Sequence, residues 1–256
     1  NLFVVEADES DGTFLTLDSD YGIITNIEPD HLGHYGGEEH LRAAFQSFLD
    51  NIKTKAFVCY DDEFLANTTK NLDVVSYGVS PKADYVISNY QGSRFGSRFI
   101  LKGPEGEMGE FSMATPGLYN VRNASAALAF GHTLGADIDL MREGLAQFGG
   151  VARRFHYRGE RNGVSFIDDY AHLPTEVKSV IAAANEGGWG RVICVFQPHR
   201  YSRTHDLWKE FSDSFEGADV VYVTDVYSAG EAPIPGVSGR LIADGVRDSE
   251  PQKHVV

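Results

Sequence analysis

The segment Val192-Ile193-Cys194-Val195-Phe196-Gln197-Pro198-His199-Arg200-Tyr201-Ser202-Arg203-Thr204 decides the fold. Its opening run, Val192 to Val195, is short, β-branched and unbroken by charge, which predicts a buried parallel strand. Pro198 stops that strand, and the loop that follows carries His199, Arg200 and Arg203 among three hydroxyls. In an open α/β sheet, ligands bind just beyond the carboxyl ends of the strands. Two guanidiniums at that position form a fork for carboxylate or phosphate oxygens. An ordinary surface loop also holds two arginines, so the segment takes its meaning from the other motifs in the chain.

Working outward, strands over 164–168, 191–196 and 219–223 alternate with helices over 175–185 and 204–215. This βαβαβ rhythm predicts a parallel sheet. Upstream, strands are expected at 2–6, 21–25 and 56–60. A helix from Glu38 to Leu49 sets Leu41, Ala44, Phe45, Phe48 and Leu49 on one face. Residues 73–113 read as a run of strands separated by Gly, Ser and Pro turns. An Ala-rich helix from Asn120 to Leu134 is opened by Thr115-Pro116-Gly117, and a shorter one spans 138–147 before Gly149-Gly150. The composition shifts there, giving two α/β domains, 1–151 and 152–256.

The formal net charge of −15, with 37 acidic residues against 22 lysines and arginines, argues against a nucleic-acid-binding surface. No apolar stretch approaches the roughly 18 residues of a membrane span, and no signal-peptide pattern opens the chain. A soluble, cytoplasmic protein without membrane insertion is expected. Cys59 and Cys194 sit in apolar runs and read as small core residues. Asn1 to Glu6 reads as beginning inside a strand and Lys253 to Val256 as the start of another, so a fragment of a longer protein is expected.

Four further motifs carry chemistry. Glu6-Ala7-Asp8-Glu9-Ser10-Asp11 sets four carboxylates after an apolar run, either as oxygen ligands for Mg²⁺ or as a solvated acidic turn. Thr25-Asn26-Ile27-Glu28-Pro29-Asp30-His31 repeats the arrangement with a histidine, a softer donor that fits Mn²⁺ or a structural role as well. Asn120 and Asn123 lie three apart, hence on one helical face, where they read an adenine edge or serve the helix start. Arg153-Arg154-Phe155 precedes a strand ending in Asp168-Asp169-Tyr170-Ala171-His172-Leu173-Pro174-Thr175-Glu176. There Asp169 either caps a helix or bonds ribose hydroxyls.

In this order, the motifs resemble those of the Mur ligase family of peptidoglycan synthesis, together with Gly230-Glu231-Ala232-Pro233-Ile234-Pro235-Gly236. The segments 168–176, 196–204 and 230–236 resemble the branch that joins L-alanine to UDP-N-acetylmuramate. The resemblance implies part of a central ATP-binding domain followed by a truncated C-terminal Rossmann-like domain with a mainly parallel sheet. It implies ATP and Mg²⁺ as cofactors and an acyl-phosphate route to an amide bond, within cell-wall biogenesis and hence cell shape and division. By motif match, Glu6 and His31 would ligate the metal. Asn120 and Asn123 would hold adenine, and Arg154 and Asp169 would contact phosphates and ribose. Tyr170, His172, His199, Arg200 and Arg203 would lie near the amino acid and the acyl-phosphate region, with Arg200 or Arg203 on the amino-acid carboxylate. Gly149-Gly150 would be a hinge. The family's phosphate-binding loop and UDP-binding domain, expected upstream of residue 1, are not in the sequence, so this segment alone is expected to be inactive. Leu173 stands where members often carry a second histidine. Arg42, not a lysine, occupies the 38–49 helix, so no carbamylated lysine is expected. The rival reading is a non-catalytic nucleotide-binding or interaction module. A rival within the family is a ligase for another amino acid or peptide, with pocket shape near 170–173 and 199–203 setting the choice among L-alanine, glycine and L-serine.

Overall fold

The computed structural model describes residues 2–256. The chain divides into two compact units: Asn1–Tyr90 with Arg98–Phe111 and Val121–Ala146, and Gln91–Ser97 with Ser112–Asn120 and Gln147–Val256. In the first stretch of chain, a 3₁₀ turn (Thr13–Thr16) precedes β1 (Tyr21–Ile24), α1 (Leu32–Tyr35), α2 (Glu38–Asn51), β2 (Lys55–Cys59), α3 (Glu63–Thr68) and β3 (Val74–Gly78). Then come β4 (Tyr85–Ser93), β5 (Gly96–Gly103), β6 (Gly106–Met113), α4 (Leu118–Thr133) and α5 (Ile138–Gln147). The strands form one sheet in the order β1-β2-β3-β4-β5-β6. β1 to β4 pair in parallel. The two-residue links Arg94-Phe95 and Pro104-Glu105 can only join antiparallel neighbours, so β4 to β6 make a meander and the sheet is mixed.

The helices form where the apolar period allows. On α2, Leu41, Phe48 and Leu49 are buried, and Phe45 and Phe48 both pack on Phe14 at about 5 Å between ring centroids. Asp62 starts α3 by accepting the Leu65 N–H at 2.8 Å, and its other oxygen accepts the Ile27 N–H at 3.1 Å. Beside it, Asp61 accepts the N–H groups of Val79 and Ser80 at 3.0 Å and pairs with the Arg122 guanidinium of α4 at 2.7 Å. Gly78 has to be glycine, since a Cβ there would fall 2.6 Å from Asp61 Oδ1.

The second unit contains β7 (His156–Arg161), β8 (Val164–Asp168), α6 (Pro174–Glu186), β9 (Ile193–Phe196), α7 (Tyr201–Phe211), β10 (Val220–Val223), α8 (Gly239–Ser249) and β11 (His254–Val255). β9, β10 and β11 form a parallel sheet in the order β11-β10-β9. Its core joins Phe196 and Val221 to Val177 and Ile181 of α6, Phe211 of α7, Phe215, and Ile242 and Val246 of α8. α8 starts hard against the end of β10: a Cβ on Gly239 would lie 2.0 Å from the Thr224 carbonyl oxygen.

Three local expectations fail. Residues 2–6 form no strand, and Leu2 to Val5 are exposed, because an apolar run becomes a strand only where a partner offers a ladder; Asn1 lies outside the described residues. The 164–168 strand pairs antiparallel with β7 in a hairpin rather than opening the parallel sheet. β9 is buried on one face only, with Phe196 at 5% exposure but Ile193 at 45% and Val195 at 70%. Uniformly apolar parallel strands are buried on both sides only when both faces are covered.

This one-sided packing is measurable by urea denaturation. Phe196→Ala is expected to remove about 3–5 kcal/mol, and Val195→Ala no more than about 0.5 kcal/mol. Equal losses would contradict it.

Candidate active site

In the first unit, the acidic segment folds into local turns. Asp8 accepts the Ser10 N–H at 2.8 Å and Asp11 the Thr13 N–H at 3.0 Å. These bonds hold both carboxyls below the usual range. His31 sits in the left-handed region at φ 54°, with Nε2 3.4 Å from Asp30 and 3.9 Å from Glu9. The Tyr35 hydroxyl donates to the Glu9 carbonyl. Glu6 is exposed. Among the described residues, no three His, Cys, Asp or Glu side chains gather to hold a metal ion. Mg²⁺ on a nucleotide keeps several waters and needs only one or two carboxylates beside the phosphate oxygens. The carboxylate-rich donor set around His31 fits that requirement.

The two helix-start amides, both on α4, differ in their bonding. Asn120 donates its side-chain amide to the Pro116 carbonyl at 2.7 Å, tying down the turn that opens α4. Asn123 is exposed.

In the second unit, Asp169 accepts the Phe155 N–H at 2.6 Å on one oxygen and the Ala171 N–H at 2.8 Å on the other. Burial raises its carboxyl above the usual range, against the pull of those two bonds and of Arg154. The Arg153 carbonyl accepts the Tyr170 N–H at 2.8 Å, and Arg153 and Phe155 both hold positive φ. The Arg-Arg-Phe motif and the end of β8 are thereby bound into one piece. Glu176 accepts the N–H groups of His172 and Leu173 at the head of α6, and Arg154 lies 3.4 Å from it.

Beyond β9, the backbone continues to pair with the loop after β10. Tyr227 donates its N–H to Pro198 and accepts the Arg200 N–H, both at 2.8 Å. This stacks the Tyr227 ring on His199, centroids 5.4 Å apart and planes 20° apart. His199 lies 6.1 Å from the His172 ring and 6.5 Å from Tyr170. Buried Arg203 sends one guanidinium nitrogen to both Nδ1 and the carbonyl of His199, each at 3.1 Å. Burial lowers the His199 pKa, helped by Arg203, His172 and Arg200 and opposed by Glu231. Arg200, at φ 73°, starts α7 with its guanidinium 3.9 Å from Glu231. Glu231 also accepts the Ser202 N–H at 3.0 Å and its hydroxyl at 2.7 Å. Burial raises the Glu231 carboxyl, but the Ser202 bonds, Tyr201 and Arg200 outweigh it and leave the group below the usual range.

Tyr170, His172, His199, Arg200 and Arg203 therefore converge. Glu231 and Tyr227 join them without having been singled out. Glu231 had a signal, as the one acid of the Gly230–Gly236 motif; Tyr227 had none beyond following a strand. A crevice of about 390 Å³ opens beside Arg154 and Phe155, but none of the five converging residues lines it. The chemistry is therefore read from the cluster and not from the cavity.

Two outcomes follow from these bonds. Asp169→Asn puts an amide N–H₂ against a backbone N–H and is expected to cost about 1–3 kcal/mol in denaturant melts; an unchanged midpoint would overturn the two-bond assignment. Because the folded His199 pKa lies below its ordinary 6.5, its stability contribution is present above that pH and is lost as pH falls below it. His199→Gln should remove that part of the pH dependence.

Models of known families match both parts of the chain: the Mur ligase middle domain at residues 1–131, and the Mur ligase glutamate ligase domain at residues 153–256. The UDP-N-acetylmuramate–L-alanine ligase of Brucella anthropi is 43% identical over 254 residues, 95% of this chain and 54% of the relative. That of Methylocella silvestris is 47% identical over 244 residues, 91% of this chain and 52% of the relative. The crystal structure of the Thermotoga maritima UDP-N-acetylmuramate–alanine ligase superposes with a TM-score of 0.77 at 29% identity, covering 98% of this chain and 54% of that one. The chain thus spans about half the length of the curated relatives it matches. Its motifs, its mixed and parallel sheets and both domain matches make it a member of the Mur ligase family.

Proposed function

We propose that the chain carries amino-acid and nucleotide contacts of an ATP-dependent ligase that joins L-alanine to UDP-N-acetylmuramate. The observation that carries this reading is the half-exposed Arg200 guanidinium beside the ionised Glu231 carboxylate. One cation and one anion at this spacing match the carboxylate and ammonium of a small α-amino acid. The high identity to ligases with that substrate pair supports it. So does backbone strain: among the described residues, seven non-glycine positions hold positive φ, and His31, Arg153, Phe155 and Arg200 fall within the motifs. Strain of this kind persists where function requires it.

In the proposed reaction, the lactyl carboxylate takes the γ-phosphoryl group of ATP, giving an acyl phosphate and ADP. The amine of L-alanine attacks the acyl carbon, and the tetrahedral intermediate expels phosphate to leave the amide. Such a path calls for charge neutralisation more than covalent help. Arg200 orients the alanine carboxylate and Glu231 its amine. Tyr170 and His172 border the amino acid and the acyl phosphate, Asp169 and Arg154 meet ribose and phosphate, and Asn120 and Asn123 meet adenine. Glu6 and His31 would hold Mg²⁺, which when bound neutralises phosphate charge.

Phosphate release with ATP, Mg²⁺ and UDP-N-acetylmuramate, measured in the full coding context, is expected to require L-alanine. Glu231→Gln should raise the KM for L-alanine roughly 10- to 100-fold, the range for losing a charged hydrogen-bond partner, while the KM for ATP holds. Release that ignores amino acids, or never occurs from folded protein, would favour a binding module instead. Separately, Glu6→Gln and His31→Ala should weaken Mn²⁺ binding in the presence of nucleotide; unchanged binding in both removes the metal assignment.

A further inference from the structure

Arg203 and Arg200 stand three residues apart, yet their surroundings differ in kind. Arg203 is 9% exposed and Arg200 is exposed. A guanidinium can only donate, so the Arg203 contact at 3.1 Å makes His199 Nδ1 the acceptor. An imidazole that accepts at Nδ1 carries its proton on Nε2 and is uncharged. The second bond from the same nitrogen, to the His199 carbonyl, fixes the fork against both backbone and ring of one residue. Tyr227 stacks on the ring and holds its plane.

We propose that Arg203 is a positioning residue that locks His199 as a neutral Nε2–H donor, not a general base, and leaves Arg200 to meet the amino-acid carboxylate. The part concerning the carboxylate rests on the proposed ligase activity; the tautomer does not. Among the groups facing His199, Arg203 and Arg200 from α7 and its start and His172 from the loop before α6 oppose a positive ring, and Tyr170 and Tyr227 present uncharged rings. All of these disfavour or leave unaided an imidazolium, and Glu231 alone favours one. A neutral donor beside an arginine suits an oxygen that gains negative charge as the acyl group is attacked.

The test is nitrogen-15 spectroscopy of histidine-labelled protein, with His199 assigned by His199→Gln among the nine histidines. A pyridine-type Nδ1 and a pyrrole-type Nε2 are expected at neutral pH. Arg203→Met should mix the tautomers and return the titration toward the ordinary histidine value. An Nδ1–H tautomer or an imidazolium in the unaltered protein overturns the inference, even if Arg203→Met fails to fold. So does a folded Arg203→Met with an unchanged spectrum. In the turnover assay, His199→Leu should lose roughly 100-fold, as for one preorganised donor, while His199→Gln, which keeps an N–H near Nε2, stays within about 10-fold. Equal losses in both overturn the donor role. Absence of turnover in the unaltered full coding context would count against the ligase reading and leave the spectra to judge the tautomer.

Discussion

The second unit's chemistry depends on a backbone ladder that outlasts its strands. β9 and β10 pair in parallel up to Phe196 and Val223, and the pairing continues through Thr224 to the Phe196 carbonyl and through Tyr227 to Pro198 and Arg200. Two loops whose paired residues lie 27 to 29 positions apart in sequence are therefore registered to within a hydrogen bond. That register stacks Tyr227 on His199 and delivers Glu231 to the start of α7. Pro198 takes part as an acceptor only, the one role open to a residue without an N–H.

Most elements were legible because their apolar period is clean. The 138–147 helix forms as read, and α2, α4 and the strands around 21–25 and 56–60 shift only at their ends. The failures share one cause. Residues 2–6, 164–168 and 192–195 have strand composition, but composition does not name a partner or count covered faces. Whether Val164 to Asp168 pairs with a following parallel strand or with the preceding hairpin arm is decided by tertiary packing. The site residues read from motifs in the second unit come together because the motifs sit at strand ends. Tyr227 and the Asp61–Arg122 pair were invisible for the opposite reason, since each acts through a contact distant in sequence.

The net charge of −15 and the proposed phosphate-rich substrates would conflict if charge acted globally. It acts locally instead, because exposed charges are screened over about 10 Å at ordinary ionic strength. Within that radius, Arg200, Arg203, His172 and His199 are answered chiefly by Glu231 and Glu176. Glu176 spends its acceptor capacity on the head of α6, at His172 and Leu173. Glu231 likewise bonds Ser202, yet keeps an oxygen near Arg200.

A division of labour between the two arginines then follows from desolvation. A buried guanidinium must have its donors satisfied by the protein, because an unpaired buried charge is far more costly than a paired one. Arg203 already has one guanidinium nitrogen committed to His199, and a carboxylate arriving there would have to displace bonds already formed. Arg200 is exposed and lies at 3.9 Å from its acid, beyond hydrogen-bonding distance, so an incoming carboxylate can approach it without breaking a bond of that kind. The same sequence motif therefore supplies one arginine that shapes the site and one that is available to a ligand, and burial decides which is which.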